Sequence, residues 1–157
     1  DGKGSFTVNV AYIRNNDPIM GIVFAPALNR LFYTNSNGIA FEDNVNGIKK
    51  IEVRQSLKES IVAVASSSHQ DKKTAEWLHN NKIFKTVSVG SSLKFCLVAC
   101  GEADVYPRFG PTMEWDTAAG DAVLRAAGGK VENINGTKFK YGKKNFKNTS
   151  FIAKGDF

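Results

Sequence analysis

The chain of 157 residues is 42% hydrophobic, 11% aromatic and 23% charged, a composition that excludes fibrous, disordered and membrane-spanning classes. Twenty-one Lys and Arg against fifteen Asp and Glu leave a formal charge of +6, which favours phosphates, nucleic acid or anionic lipid as partners through the long-range field. The charges are scattered and name none of these. No apolar run approaches the roughly 20 residues that a membrane-spanning helix needs, and Asp1-Gly2-Lys3 lacks the apolar stretch of a signal peptide. A soluble, non-secreted, cytoplasmic protein is expected.

Residues 6 to 41 read as short strands: Phe6 to Ile13, Ile19 to Phe24, Leu31 to Thr34 and Gly38 to Phe41. Asn15-Asn16-Asp17-Pro18, Ala25-Pro26-Ala27 and Asn35-Ser36-Asn37-Gly38 separate them, and Asn and Gly tolerate the positive φ of a hairpin turn. Strands joined so closely pair only as antiparallel neighbours, so a meander is predicted. Its first strand starts almost at the beginning of the sequence, which leaves one sheet face without a covering element.

From residue 60 the pattern alternates. A strand at Ile61 to Ser66 precedes a helix near Asp71 to Asn81, and Thr86 to Val89 precedes a helix from Ser91 to Cys100. A strand at Asp104 to Tyr106 then leads to a helix from Asp116 to Ala127, and Lys130 to Glu132 is a last strand before a Lys- and Asn-rich stretch. Such alternation predicts a layered α/β unit. In the last helix Ala118, Ala119, Ala122, Val123, Ala126 and Ala127 make a smooth apolar stripe that lets it lie close to a sheet, and Gly128-Gly129 stops it. We therefore expect an α/β protein in two parts: residues 1–45, a remnant of an antiparallel sheet, and residues 46–157, the α/β domain. Cys96 and Cys100, set in an apolar helix, are too few for a disulfide framework or a structural zinc site.

The candidate chemistry lies where strands end and helices begin, the rim at which open α/β sheets present ligand-contacting groups. Ser66-Ser67-Ser68-His69 closes one strand, and Gly90-Ser91-Ser92-Leu93-Lys94 opens a helix. Lys94 in a first turn opposes the helix dipole unless an anion compensates it. Arg108 stands in a loop stiffened by Pro107, Gly110 and Pro111, and Arg suits bidentate phosphate contact. Asp116 fits two roles, a helix N-cap and a carboxylate ligand for Mg²⁺. His69, Ser91, Lys94, Arg108 and Asp116 on one rim would suit a nucleotide phosphate with a metal.

The run from Gly90-Ser91-Ser92-Leu93-Lys94 through Tyr106-Pro107-Arg108-Phe109-Gly110-Pro111-Thr112 to Trp115-Asp116-Thr117-Ala118-Ala119-Gly120 resembles the 3′(2′),5′-bisphosphate nucleotidase branch of the inositol-monophosphatase-like metal-dependent phosphatases. The Trp-Asp-x-Ala-Ala-Gly element is common to that superfamily, while Ser-Ser-Leu-Lys and Pro-Arg-Phe-Gly-Pro-Thr point to the nucleotidases. The resemblance implies the C-terminal part of that fold, with Mg²⁺ as cofactor and a small-molecule nucleotide bisphosphate as partner. It implies that Asp116 binds metal and contacts substrate, and that His69, Ser91, Lys94 and Arg108 hold the nucleotide. The implied reaction removes the 3′-phosphate of adenosine 3′,5′-bisphosphate to give AMP, which links it to sulfate assimilation.

The family's remaining metal ligands, a Glu and an Asp-Pro-x-Asp-Gly-Thr element, precede the strand at Phe6 and have no counterpart among these residues. Asp1-Gly2 echoes that element only superficially, since Lys3 replaces the Thr. The chain is therefore expected to be a segment of a longer protein or one half of a pair, inactive alone, with an N-terminal half as partner. Alternative readings are an inositol monophosphatase and a non-catalytic nucleotide-binding or interaction module. A nucleic-acid partner is not expected, because interleaved aromatic and basic residues are lacking.

Overall fold

The computed structural model describes residues 4–57, 60–66 and 71–157. A five-stranded sheet comes first: β1 (Val8–Arg14), β2 (Asp17–Ala25), β3 (Arg30–Thr34), β4 (Ala40–Asn44) and β5 (Gly47–Lys50). All neighbours are antiparallel and follow chain order, which is the predicted meander. Asn15 and Asn16, with φ of 53° and 65°, make the tight β1–β2 turn, a conformation Asn tolerates better than most residues. Pro18 pairs with Ile13 beside a register shift between Tyr12 and Ile13. An irregular step of this kind accommodates a residue that has no N–H for the ladder.

The second sheet is mixed: β6 (Val62–Ala65), β7 (Lys85–Ser88), β8 (Val105–Arg108), β9 (Lys130–Asn133) and β10 (Phe151–Lys154) lie in the order β7-β6-β8-β10-β9. β6 is parallel to both β7 and β8, while β10 runs antiparallel to β8 and β9. The three helices are α1 (Lys72–Asn80), α2 (Leu93–Ala99) and α3 (Ala118–Ala126). Alternate residues of the second sheet point to opposite sides. Val62, Val64, Tyr106 and Phe151 join α2, α3 and the first sheet's Val23 and Phe32 in one core. Ile61, Ala63, Val105 and Ile152 pack with Leu78 of α1 in a smaller one. The layers are thus sheet, α2 with α3, sheet, and α1.

The predicted alanine stripe does what its small side chains allow. A Cβ at Gly21 of β2 would stand 2.3 Å from the Ala119 carbonyl oxygen and 2.9 Å from the Ala122 Cβ, so helix and strand meet almost backbone to backbone. The other face of the first sheet is open, with Val8, Val10, Tyr12, Met20 and Ile22 exposed.

Several predicted boundaries are corrected. α3 begins at Ala118, because Glu114–Asp116 forms a separate 3₁₀ turn. α2 begins at Leu93, because Ser91 is left-handed, with φ of 55°. The sequence reading misses two strands. β5 is exposed at every position and carries no alternation, and β10 hides in a Lys- and Asn-rich tail although Phe151, Ile152 and Ala153 are buried.

Gly21→Val should destabilise the fold by at least about 2 kcal/mol, since the clash is with helix backbone and cannot be relieved by a rotamer change. Chemical denaturation measures it, and a loss below about 0.5 kcal/mol would contradict the close approach.

Candidate active site

Three elements end around one cavity of about 200 Å³: β6 at Ser66, β8 at Arg108 and the segment between β7 and α2 at Ser91. Lys94, Tyr106 and Asp116 complete its charged and aromatic lining. The structure thus brings together four of the five residues singled out from sequence: Ser91, Lys94, Arg108 and Asp116. The fifth, His69, lies outside the described residues.

Lys94 is only 4% exposed. Its Nζ turns back past the start of its own helix and donates to the carbonyls of Ser91 (2.8 Å) and Val89 (3.2 Å), and it lies 5.1 Å from the Tyr106 ring centroid. Two of its three N–H groups are thereby engaged, leaving one for a ligand. Burial pulls this ammonium down to about 8, and nearby Arg108 acts in the same direction. A fall of that size from 10.5 corresponds to about 3 kcal/mol against the charged form, a cost that a bound anion offsets.

Arg108 donates from Nη2 to the Pro111 carbonyl at 3.1 Å, so the loop is pinned by the side chain it carries. Its Nε is buried with no hydrogen-bond partner among the described residues. Neither Lys94 nor Arg108 forms an ion pair among the described residues. A buried donor without an acceptor is costly, and the two neighbouring cations outnumber Asp116, the carboxylate that lines the same cavity.

Asp116 does not cap α3, contrary to the sequence expectation. Its Oδ2 accepts from the Met113 N–H at 2.8 Å, within the 3₁₀ turn, and α3 starts after Thr117 with no side-chain cap. Among the described residues the other carboxylate oxygen accepts no hydrogen bond. The turn is held from behind. Glu114 accepts from the backbone N–H groups of Gly142 (2.9 Å) and Lys143 (2.8 Å), and these bonds together with Lys143 outweigh its burial and keep its carboxyl below the usual range. Asn148 Nδ2 reaches the Met113 carbonyl at 2.8 Å and Thr117 Oγ1 at 3.1 Å.

Ser92 stands at the N-cap position of α2, but no serine side chain caps the helix. Ser92 Oγ donates to Asn9 Oδ1 at 2.5 Å and lies 2.8 Å from Thr7 Oγ1, and Ser91 Oγ also contacts Thr7 Oγ1. They tie the site to the first sheet. Glu114, Asn148 and Tyr106 escaped the sequence reading. The first two are far from each other in the chain, and Tyr106 read as a strand residue.

A metal would find one carboxylate here. No group of three or more His, Cys, Asp or Glu side chains suited to a metal exists among the described residues, so these residues alone do not assemble a multi-metal centre.

The fold is that of a known group. The model of the inositol monophosphatase family matches residues 1–155, and the chain belongs to that family. The sequence is 45% identical over 139 residues to the 3′(2′),5′-bisphosphate nucleotidase CysQ of Escherichia coli K12, covering 88% of this chain and 55% of that protein. It is 40% identical over 154 residues to the CysQ nucleotidase of Buchnera aphidicola, covering 96% and 57%. Among solved structures, CysQ of Bacteroides thetaiotaomicron superposes with a TM-score of 0.86 at 34% identity, covering 98% of this chain and 64% of that one. The chain thus spans little more than half the length of the curated relatives it matches. Among the described residues no helix is long and apolar enough to cross a membrane.

Lys94 should titrate near pH 8 in the ligand-free protein, while exposed lysines titrate near 10.4. Because the folded value is lowered, this group makes stability rise with pH between about 8 and 10.5. Carbon-13 NMR of the lysine ε-methylenes reads the midpoint directly, and a Lys94 that titrates with the surface lysines would contradict its burial.

Proposed function

We propose that these residues form the nucleotide-facing part of a Mg²⁺-dependent 3′(2′),5′-bisphosphate nucleotidase, which removes the 3′-phosphate of adenosine 3′,5′-bisphosphate to give AMP. The observation that carries this reading is the convergence of Lys94, Arg108 and Asp116 on one cavity. The names of the CysQ relatives support it. Lys94 and Arg108 hold phosphate oxygens against their mutual repulsion, with Ser91 and His69 completing the nucleotide contacts. Asp116 contributes one carboxylate toward Mg²⁺, which when bound would activate water and neutralise the leaving oxygen.

The remaining metal ligands come from a further part of the protein, for which the open face of the first sheet beside Val10, Tyr12 and Ile22 offers a seat. Residues 1–157 alone bind nucleotide weakly and do not turn over. A cytoplasmic location and a role in sulfate assimilation belong to the same reading.

An inositol monophosphatase is the competing assignment, favoured by the likeness to the Thermotoga maritima enzyme of that name, with a TM-score of 0.74 at 26% identity. Phosphate release from adenosine 3′,5′-bisphosphate and from inositol 1-phosphate, measured with Mg²⁺ on the whole protein that carries these residues, separates the two. Preference for the nucleotide is expected, and preference for inositol phosphate would remove Lys94 and Arg108 from their roles. Lys94→Ala or Arg108→Ala should each weaken nucleotide binding by about 1.5–3 kcal/mol, the loss of one charge-assisted contact. Asp116→Asn should abolish the metal-dependent rate in the same assay, and normal activity would refute its role as a ligand.

A further inference from the structure

Tyr106 sits on β8 between Lys94 and Arg108, yet nothing in the chemistry described so far uses it. It is 4% exposed and lines the cavity. Its ring is wedged edge-on against Phe95 (centroids 5.2 Å apart, planes at 86°) and Phe151 (5.5 Å, 88°), so its place is fixed by the core behind it. No hydrogen bond joins its hydroxyl to another described residue, and the residue lines the cavity beside Lys94 and Arg108. The other buried tyrosine differs: the Tyr141 hydroxyl donates to Asp121 at 2.8 Å.

We propose that Tyr106 is a ligand-contacting residue of this site: its hydroxyl donates a hydrogen bond to an oxygen of the bound phosphate, while its ring holds the Lys94 ammonium in position. This rests on the reading of the cavity as an anion site. The phenol is suited to the task. Burial keeps it protonated far above neutral pH, and the charges that it feels are those of Arg108 and Asp116, on either side of the cavity. The ring face toward Lys94, at 5.1 Å, gives the ammonium a favourable neighbour that does not neutralise it. A carboxylate there would pair with Lys94 and compete with the ligand. Tyrosine stabilises the cation and leaves its charge available. One residue thereby supplies a neutral donor and sets the position of a charged one.

The test uses AMP as probe, with affinities from calorimetry on the protein, on Tyr106→Phe, on Tyr106→Leu and on Lys94→Met. Tyr106→Phe keeps the ring, so it should fold with an unchanged unfolding temperature and an unchanged Lys94 titration while binding AMP about 3- to 10-fold more weakly. Tyr106→Leu should also move the Lys94 midpoint. Incorporating a fluorinated tyrosine at 106, a stronger donor with the same shape, should tighten binding and requires no deletion. If Lys94→Met is weakened while Tyr106→Phe binds like the parent, the role of the Tyr106 hydroxyl is overturned and the anion site stands. If the parent binds no AMP, or Lys94→Met binds as well as the parent, the anion-site reading falls and this one with it.

Discussion

A lysine ammonium held among carbonyls inside the protein, with a guanidinium beside it and no carboxylate paired with either among the described residues, is stable only because the rest of the fold insists on it. The backbone carbonyls of Val89 and Ser91 and the face of Tyr106 solvate Lys94 in place of water, and Pro111 fixes Arg108. An internal ion pair would have been easier to accommodate than two neighbouring cations. Negative charge brought by a ligand completes the arrangement, so the electrostatics of this rim and its proposed use have the same origin.

The layering serves that rim. β6, β7 and β8 run parallel and end on the same side, which is where an open α/β sheet leaves a crevice. Asp116 faces the crevice because the 3₁₀ turn before α3 is anchored by Glu114 to the backbone at Gly142 and Lys143 and by Asn148 to Met113 and Thr117. The contact of α3 with Gly21 then couples that turn to the first sheet. Thr7 and Asn9, at the start of the same sheet, reach Ser91 and Ser92 from the opposite side. The antiparallel sheet thus positions a site that it does not line.

Much of this was legible in the sequence where local chemistry decides the outcome. Asn15-Asn16 announced a turn, the alanine stripe announced a helix close to a sheet, and the placement of Lys94, Arg108 and Asp116 at strand ends and helix starts announced one rim. What escaped depends on partners distant in the chain. β10 is a strand because β8 and β9 flank it, and nothing in Phe151-Ile152-Ala153-Lys154 alone says so. Asp116 reads as an N-cap by type, but the Glu114 anchor draws the chain into a 3₁₀ turn and aims the carboxylate at Met113 instead. Ser91 and Ser92 read as part of an anion site at a helix start, yet their hydroxyls turn to Thr7 and Asn9. Tyr106 carried no signal at all, because a strand tyrosine is ordinarily core.

The most direct measurement is a crystal structure of the protein with adenosine 3′,5′-bisphosphate bound. The expected result is a phosphate group within about 3 Å of both the Lys94 ammonium and the Arg108 guanidinium, the distance of a charge-assisted hydrogen bond. A nucleotide seated elsewhere, with those two cations still facing an unliganded crevice, would contradict the central claim.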